Sequence, residues 1–223
     1  MNARDIRPNK LKCIVYGQSG TGKTEFACTF PKPFVIDLDN GMLSQMGKDV
    51  EYETCKTYEQ FMKYVDLAEK DDKIETIVID SVTMLQELMQ HAILTLNNKK
   101  NMDLKCWAVL VDMFQQLFTG LTYKNKHVIV TAHEQLIQDE ITGAVQILPL
   151  IVGRKLPNQL PLFFDEVYRA VVNKKLKGSE STYEYSLITR ADSKATAKSR
   201  LRLPALITPP TYGQIMKLLK EKE

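Results

Sequence analysis

Residues 17–24 form a glycine-rich octapeptide, Gly-Gln-Ser-Gly-Thr-Gly-Lys-Thr, of the form G-x-x-x-x-G-K-[ST]. An apolar run at 11–16 directly precedes it, and a helix-compatible segment at 22–30 follows until Pro31. Glycines in such a turn let backbone N–H groups approach a phosphate where a side chain would clash. The helix that follows adds the positive end of its dipole. The octapeptide therefore predicts a strand–loop–helix unit that binds the phosphates of a nucleotide.

Every position of the octapeptide is expected to contribute to this nucleotide-binding loop. Lys23 is expected to place its charge at the β- and γ-phosphates, and the Thr24 hydroxyl is expected to ligate Mg²⁺. ATP and Mg²⁺ are thus the expected substrate and cofactor. The expected loop residues are Gly17, Gln18, Ser19, Gly20, Thr21, Gly22, Lys23 and Thr24.

Strand-like and helix-like patterns alternate through residues 1–134, with apolar runs at 33–39, 76–80 and 127–131. Because parallel strands need crossover helices, this alternation predicts an α/β core with a mostly parallel sheet flanked by helices. From 135 to 223 the pattern changes to two β-hairpins, 135–148 and 166–189, and a terminal helix at 212–222. We expect one domain, 1–223, with a hairpin-rich basic extension after the core.

Cysteine placement and hydropathy exclude several classes of protein. The four cysteines form no C-x-x-C pair, which argues against a zinc site or a disulfide framework. The longest apolar stretch, near 147–152, is interrupted by Pro149 and is far shorter than the roughly 20 residues that a membrane span needs. The first ten residues are polar and do not resemble a secretory signal. We therefore expect a cytoplasmic protein without a membrane partner.

Two carboxylates follow apolar strands at the edge where an open α/β sheet binds its ligand. Asp80 ends the run 76–80 and is expected to hold Mg²⁺ together with Thr24; a helix N-cap is the alternative role for it. Asp39 ends the run 33–39, where a carboxylate can orient and deprotonate the water that attacks the γ-phosphate. Asp39 could instead form the turn before Asn40 and Gly41.

His133 and Glu134 follow the strand at 127–131. A polar side chain at that strand end can touch the γ-phosphate and report its loss to the next segment of the chain. We predict this sensing role for His133, although a lone histidine often serves a structural purpose instead. The tyrosines of the second hairpin, Tyr168, Tyr183 and Tyr185, are expected to pack across strands rather than to stack on bases.

The order of these motifs resembles the RecA-type ATPase core. The octapeptide is followed by F-V-I-D-L-D, I-V-I-D-S-V and V-I-V-T-A-H in this order. The V-T-A-H-E element, the compact length and the basic A-K-S-R segment at 197–200 are similar to phage nucleotide-binding proteins. These are small RecA-like ATPases associated with single-strand annealing and recombination.

The resemblance implies a RecA-like P-loop NTPase fold and an ATPase that acts on single-stranded DNA. It also implies self-association into a ring or filament with ATP between subunits, recruitment of a single-strand-binding protein, and the host cytoplasm as location. Asp39 falls where RecA-type enzymes keep a catalytic Glu, so the shorter side chain predicts slow hydrolysis. His133 falls where the bacterial recombinase has a Gln that senses the γ-phosphate, and residues 135–154 would then be a DNA-binding loop region.

Positive charge is concentrated near the C-terminal end. Residues 171–223 contain 11 Lys and Arg against 5 Asp and Glu, in a chain with a net charge of +3. In the segment 190–202, Lys194, Lys198 and Arg202 would share one face if it were helical. RecA-like ATPases insert cations into a neighbour's site, so the resemblance implies that role for Lys198 and Arg200, followed by Lys194. DNA contact and a solvated loop are the alternatives.

Other functions are compatible with a phosphate-binding loop. A helicase-like or helicase-loading motor is the alternative within the same fold, although a loader is expected to end in a helical lid rather than in hairpins. A small-molecule kinase is an alternative from a different class, and it would need a second substrate pocket and an arginine-bearing lid. A nucleotide-gated binding protein with negligible turnover is the third.

Overall fold

The phosphate-binding loop lies between the first strand and the first helix of an α/β fold. The structure is a computed structural model that describes residues 10–138, 140, 143–153, 156–177 and 180–221. The first half of the chain contains β1 (Lys12–Gly17), α1 (Lys23–Cys28), β2 (Pro33–Asp37), β3 (Glu51–Thr54), α2 (Tyr58–Lys70), β4 (Thr76–Asp80), α3 (Val82–Leu96) and α4 (Leu104–Thr122). The second half contains β5 (His127–Gln138), β6 (Val145–Pro149), α5 (Leu156–Gln159), β7 (Glu166–Lys177), β8 (Glu180–Ile188), β9 (Lys198–Ser199), β10 (Leu206–Ile207) and α6 (Tyr212–Lys220).

These strands form a sheet with the order β10-β8-β7-β1-β5-β4-β2-β3. The six consecutive strands β7, β1, β5, β4, β2 and β3 run parallel to one another. The strands β8 and β10 add antiparallel pairs at the edge next to β7. β6 pairs with the second half of β5, and β9 pairs with the start of β7, both antiparallel. Because β1, β5 and β4 are adjacent, the phosphate-binding loop and Asp80 lie at the same edge of the sheet.

Both faces of the parallel sheet are buried, which explains its nearly continuous apolar strands. Alternate residues of one strand, such as Ile77 and Ile79 of β4, pack with α2, α3 and α4 on one face. Val78, between them, packs on the other face with Phe26 of α1 and Ile215 of α6. The predicted fold class, a mostly parallel sheet flanked by helices with C-terminal hairpins and a terminal helix, is confirmed.

Several element boundaries differ from those predicted. β2 ends at Asp37 instead of residue 39, because the amides of Leu38 and Asp39 both donate to the Asp80 carbonyl oxygen. α3 begins at Val82, directly after Ser81, whose side chain caps it. The first predicted hairpin has no separate opening strand: β5 runs unbroken from His127 to Gln138. The second hairpin, predicted at 166–189, contains β7 and β8, and residues 178–179 between these strands lie outside the described residues.

The basic segment 190–202 is not helical. Its backbone groups pair with neighbouring strands instead: Thr196 N–H donates to the Ile147 carbonyl of β6, and Lys198 pairs with Val167 of β7. The condition under which Lys194, Lys198 and Arg202 would share one helical face is therefore not met. Strand contacts, together with hydrogen bonds within the segment such as that from the Ala195 amide to Asp192, hold its conformation.

Candidate functional site

The phosphate-binding loop is packed so closely against β7 that its first glycine cannot carry a side chain. A Cβ on Gly17 would lie 2.5 Å from the Ala170 carbonyl oxygen and 2.9 Å from Thr21 Oγ1. Gly22 has a φ of 80°, a left-handed conformation that favours glycine, and α1 begins directly after it. The loop therefore has the tight backbone turn at a strand end that a phosphate cradle requires.

Lys23 folds back over this loop. Its ammonium donates to the carbonyl oxygens of Gly17, at 3.1 Å, and Gln18, at 2.8 Å, and the residue is 8% exposed. Burial lowers the pKa of Lys23, while the nearby carboxylates of Asp80, Asp39 and Glu134 oppose that shift. The charge is thus held inside the loop, where the phosphates of a nucleotide would compensate its lost hydration.

Thr24 and Asp80 are in direct contact at the carboxyl edge of the sheet. Thr24 Oγ1 donates to Asp80 Oδ2 at 2.7 Å, and the Thr131 hydroxyl donates to the other carboxylate oxygen. Asp80 is 3% exposed, and burial raises the pKa of its carboxyl group. A hydroxyl and a carboxylate are hard oxygen ligands that suit Mg²⁺, which completes its coordination with phosphate and water oxygens. The two residues therefore fit the expected metal.

The described residues contain no cluster of three or more His, Cys, Asp or Glu side chains able to hold a metal without a ligand. This agrees with a Mg²⁺ site that depends on the phosphates of the nucleotide for the remaining oxygens. Asp37, the last residue of β2, is 2% exposed, and its carboxylate accepts a hydrogen bond from the Gly41 amide at 3.0 Å. It stabilises the turn after β2.

Asp39, Ser81 and His133 form a hydrogen-bonded group beside the loop. His133 Nε2 lies 3.1 Å from Asp39 Oδ2, and Ser81 Oγ donates to Asp39 Oδ1 at 2.8 Å. The Asp39 and His133 side chains remain 20% and 36% exposed, so solvent reaches both of them. Ser81 also caps α3. The structure thus brings together the two residues for which the sequence predicted separate roles.

The backbone of His133 lies where β5 passes from the parallel sheet to the β6 hairpin. Its amide donates to Thr83 Oγ1 at 3.0 Å, and its carbonyl accepts from the Leu150 amide at 2.7 Å. On one side His133 pairs with Gly17 of the loop, and on the other Glu134 pairs with Pro149. Residues 139, 141–142 and 154 of the expected DNA-binding region, 135–154, lie outside the described residues.

An ion pair that the sequence did not predict spans the base of the loop. Arg169 Nε of β7 lies 3.0 Å from Glu134 Oε2 of β5, with side chains 20% and 11% exposed. Both strands flank β1, so the pair forms across the strand that leads into the loop. Only knowledge of the strand order could have revealed it, because the two residues are 35 positions apart.

A cleft of ≈ 1160 Å³ lies beside the phosphate-binding loop at the carboxyl edge of the sheet. One wall contains Asp39, Asp80 and His133, and the opposite wall contains Tyr183 and Tyr185 of β8. These tyrosines are 61% and 42% exposed. Tyr168, in contrast, is 1% exposed, packs edge-on against Phe26 and donates to Glu166. Tyr168 is therefore a core residue that packs against α1, whereas Tyr183 and Tyr185 are exposed at the cleft.

Lys198 and Arg200 lie far from the loop of their own chain. Lys198 donates to the Pro161 carbonyl at 2.8 Å, and Arg200 pairs with Asp165 at 2.6 Å. β9 pairs with the start of β7, whose Glu166 pairs with Cys13 near the start of β1. The two cations are therefore at the amino edge of the sheet, whereas the phosphate-binding loop is at the carboxyl edge.

Comparison with known families gives one match. The family model described as AAA domain matches residues 9–201, which include the loop, Asp39, Asp80, His133 and the two distant cations. No curated protein matches the sequence. Among the helices of the described residues, none combines the length and the apolar character required for crossing a membrane.

Proposed function

Because this chain belongs to the AAA domain family, we propose that it binds ATP with Mg²⁺ at residues 17–24 and hydrolyses it. The family indicates a nucleotide-binding ATPase in general. The observation that carries the metal-dependent reaction is the 2.7 Å contact between Thr24 and Asp80, two oxygen ligands from different elements that meet beside the loop. Mg²⁺ held there would neutralise charge on the phosphates.

Asp39 is the residue we propose for orienting the attacking water. Ser81 and His133 engage one carboxylate oxygen each, so the group is fixed in direction, yet it remains 20% exposed to solvent. A positioned carboxylate of this kind typically contributes about 10²–10⁴ in rate. His133, in contact with Asp39, is then placed to respond when the γ-phosphate leaves.

We propose that the protein assembles with ATP between subunits. Lys198 and Arg200 lie at the opposite edge of the sheet from their own loop, so they can reach only the nucleotide of a neighbouring chain. A cation supplied in trans stabilises the charge of phosphoryl transfer and is worth about 10³–10⁵ in rate. Arg200 is suited to such a contact, because its side chain is 62% exposed.

The macromolecular substrate that we propose is single-stranded DNA, in recombination or annealing of the phage type. Support comes from the RecA-like order of the motifs and from the basic residues 171–223. The sequence of the β5–β6 hairpin, 135–149, contains no Lys or Arg. Phosphate contacts are therefore more readily provided by exposed residues such as Lys174 and Lys194.

ATP turnover measured with Mg²⁺, with and without single-stranded DNA, tests this function. We expect slow turnover that single-stranded DNA stimulates, and none in a Lys23→Ala variant. Equal stimulation by duplex DNA would favour a helicase-like or helicase-loading motor, and phosphate transfer to an added small molecule would favour a kinase. ATP-dependent DNA binding without turnover would identify a nucleotide-gated binding protein. Electron micrographs with ATP and DNA distinguish a ring from a filament.

A further inference from the structure

The cleft has two chemically different walls, and the phosphate-binding loop separates them. In the sheet order, β5, β4 and β2 lie on one side of β1. His133 lies on β5, Asp80 ends β4, and Asp39 follows β2; all three line the cleft. On the other side lie β7, β8 and β10, whose wall presents Tyr183 and Tyr185. A nucleotide held at the loop has two different ends, a charged triphosphate with its metal and a flat nucleobase. The two walls match these two ends.

The tyrosine wall reaches over the loop because β7 and β8 are longer than β1. Ala170 lies against Gly17 at the end of β1, and β7 continues beyond this point to Lys177. Tyr183 and Tyr185 lie on the part of β8 that pairs with this projecting half, opposite Lys174 and Val172. Two large aromatic side chains thus project beyond the sheet edge next to the site.

Tyr185 is close enough to the loop to contact a nucleotide bound there. A Cβ on Gly22, the residue before α1, would lie 3.3 Å from Tyr185 Cδ1. Tyr185 nevertheless remains 42% exposed and Tyr183 is 61% exposed, so both side chains are accessible at the cleft. Exposed aromatic faces beside a ligand cleft are the usual platform for a nucleobase, since every base has a π-face.

The strip Thr208–Pro209–Pro210–Thr211 forms the adjoining side of this end of the cleft. The Thr208 hydroxyl lies 2.7 Å from Ser186 Oγ of β8, and the Tyr212 amide donates to Thr29 Oγ1 at 2.8 Å, just after α1. The strip is thereby held between β8 and the helix that follows the loop. The aromatic residues and the prolines line this end of the cleft beside the phosphate site, together with Lys175, Thr182 and Glu184.

We propose that Tyr183 and Tyr185 form a nucleobase subsite that stacks on the base of the ATP held by the loop. This inference rests on the proposed function and adds the residues that recognise the nucleoside half. The opposite wall is unsuitable for a base, because it carries the carboxylates that serve the metal. A DNA base is a less fitting occupant, since Tyr185 lies directly against Gly22 of the phosphate-binding loop.

The test compares binding of ATP with binding of inorganic triphosphate, both with Mg²⁺, by calorimetry. Triphosphate retains the charged half of the ligand and lacks the base. Loss of a stacking partner typically weakens binding about fivefold or more. We expect such a loss for ATP in Tyr185→Ala and Tyr183→Ala, with triphosphate binding unchanged. Tyr185→Phe, which keeps the ring, should bind ATP like the wild type. Tyr123→Ala, at an 86% exposed position after α4, is the matched control.

Every other result would contradict the proposed subsite, and each one points to a different cause. Wild-type ATP affinity in both alanine variants removes the subsite alone, and equal losses for ATP and triphosphate show general damage to the loop. Retained ATP affinity with lost single-stranded DNA affinity assigns the tyrosines to DNA instead. A wild-type chain that binds neither ligand removes the proposed function and the subsite together.

Discussion

Asp39 Oδ2 and His133 Nε2 lie 3.1 Å apart, although the two residues are 94 positions apart in the chain. The other oxygen of the same carboxylate accepts from Ser81, at 2.8 Å. The carboxylate is therefore oriented from both sides, by the residue that caps α3 and by the residue at the end of the parallel part of β5. An amide in place of the carboxylate would keep the size of the side chain but lose its negative charge and its basicity.

Asp39→Asn should therefore retain ATP affinity and lose most hydrolysis, on the order of 10² or more in rate. This combination is typical of an interaction made only in the transition state. Asp39→Glu, with the longer side chain of RecA-type enzymes, should keep more activity than Asn. ATP binding and single-turnover hydrolysis are measured on the same preparations, with Asp66→Asn on the far helix α2 as the control. Normal hydrolysis in Asp39→Asn would transfer the role to Glu134.

Lys23→Ala should weaken ATP binding at least tenfold, about 1.4 kcal/mol. The substitution removes a charge-assisted phosphate contact from a buried position. Lys70→Ala is the matched control, because that lysine is exposed and pairs only locally with Asp66 on α2. Titration of both variants with ATP and Mg²⁺ provides the comparison. Equal affinities for the two variants would contradict nucleotide binding at this loop.

The double variant Lys198→Ala/Arg200→Ala should fold normally and hydrolyse ATP poorly. Among the described residues, the variant loses the Arg200–Asp165 ion pair, which is largely exposed and contributes about 1 kcal/mol at most, and the hydrogen bond from Lys198 to the Pro161 carbonyl. Mixing it with Lys23→Ala should restore activity, because each chain then supplies what the other lacks at a shared site. A silent mixture argues against cations in trans. Normal hydrolysis with weaker, less salt-dependent DNA binding would make these residues a phosphate-backbone contact.

Asp80 should reduce the stability of the fold at neutral pH. Burial raises the pKa of its carboxyl group, so the folded chain keeps this proton to higher pH than the unfolded chain. Stability therefore falls as pH rises through that interval. Asp80→Asn should therefore gain stability relative to the wild type at pH 8 compared with pH 4, and it should lose Mg²⁺-dependent turnover. Denaturant unfolding at both pH values measures the effect.

The matched control for Asp80→Asn is Asp66→Asn. The hydrogen bond from Lys70 lowers the pKa of Asp66, so its removal should give no gain at pH 8. If Asp80→Asn proves less stable than the wild type at pH 8, the hydrogen bonds from Thr24 and Thr131 outweigh the cost of burying the charge.

His127 should give the protein an acid-sensitive component of stability. Burial lowers the pKa of His127 from its ordinary 6.5 to about 4, and the neutral ring accepts the Leu11 amide at 3.1 Å. The unfolded chain binds the proton first, so this contribution is complete above about pH 6.5 and is lost as pH falls toward about 4. His127→Gln should flatten the decline in unfolding free energy between pH 6.5 and pH 4, whereas exposed His91→Gln should not.

Local patterns predicted the loop and the core of the fold well. The octapeptide, the strand before it and the helix after it are contiguous in sequence, and strand β4 has the predicted bounds, 76–80. A buried parallel strand is identified by its own apolar residues, so it can be predicted without knowing which strands lie beside it. This explains why Thr24 and Asp80 could be proposed as partners before their contact was seen.

Contacts that depend on the strand order could not be predicted in the same way. The pair Glu134–Arg169 and the position of Tyr185 against Gly22 both exist because β7 lies beside β1. No local pattern encodes which strand becomes the neighbour of another. Asp39 was expected within a strand, but its amide bonds to the Asp80 carbonyl and places it in the following turn.

The continuity of β5 through His133 restricts how this site can communicate. The His133 backbone is hydrogen-bonded to Thr83 of α3 and to the amide of Leu150, and Thr83 Oγ1 also donates to the Leu150 carbonyl. Moving the His133 main chain alone would break two hydrogen bonds, at about 1 kcal/mol each. A shift at the γ-phosphate is therefore less costly if α3 and the β6 hairpin move with it. β5 is therefore expected to move as one rigid unit with its neighbours, and Thr83 is the residue that couples His133 to α3 and to Leu150.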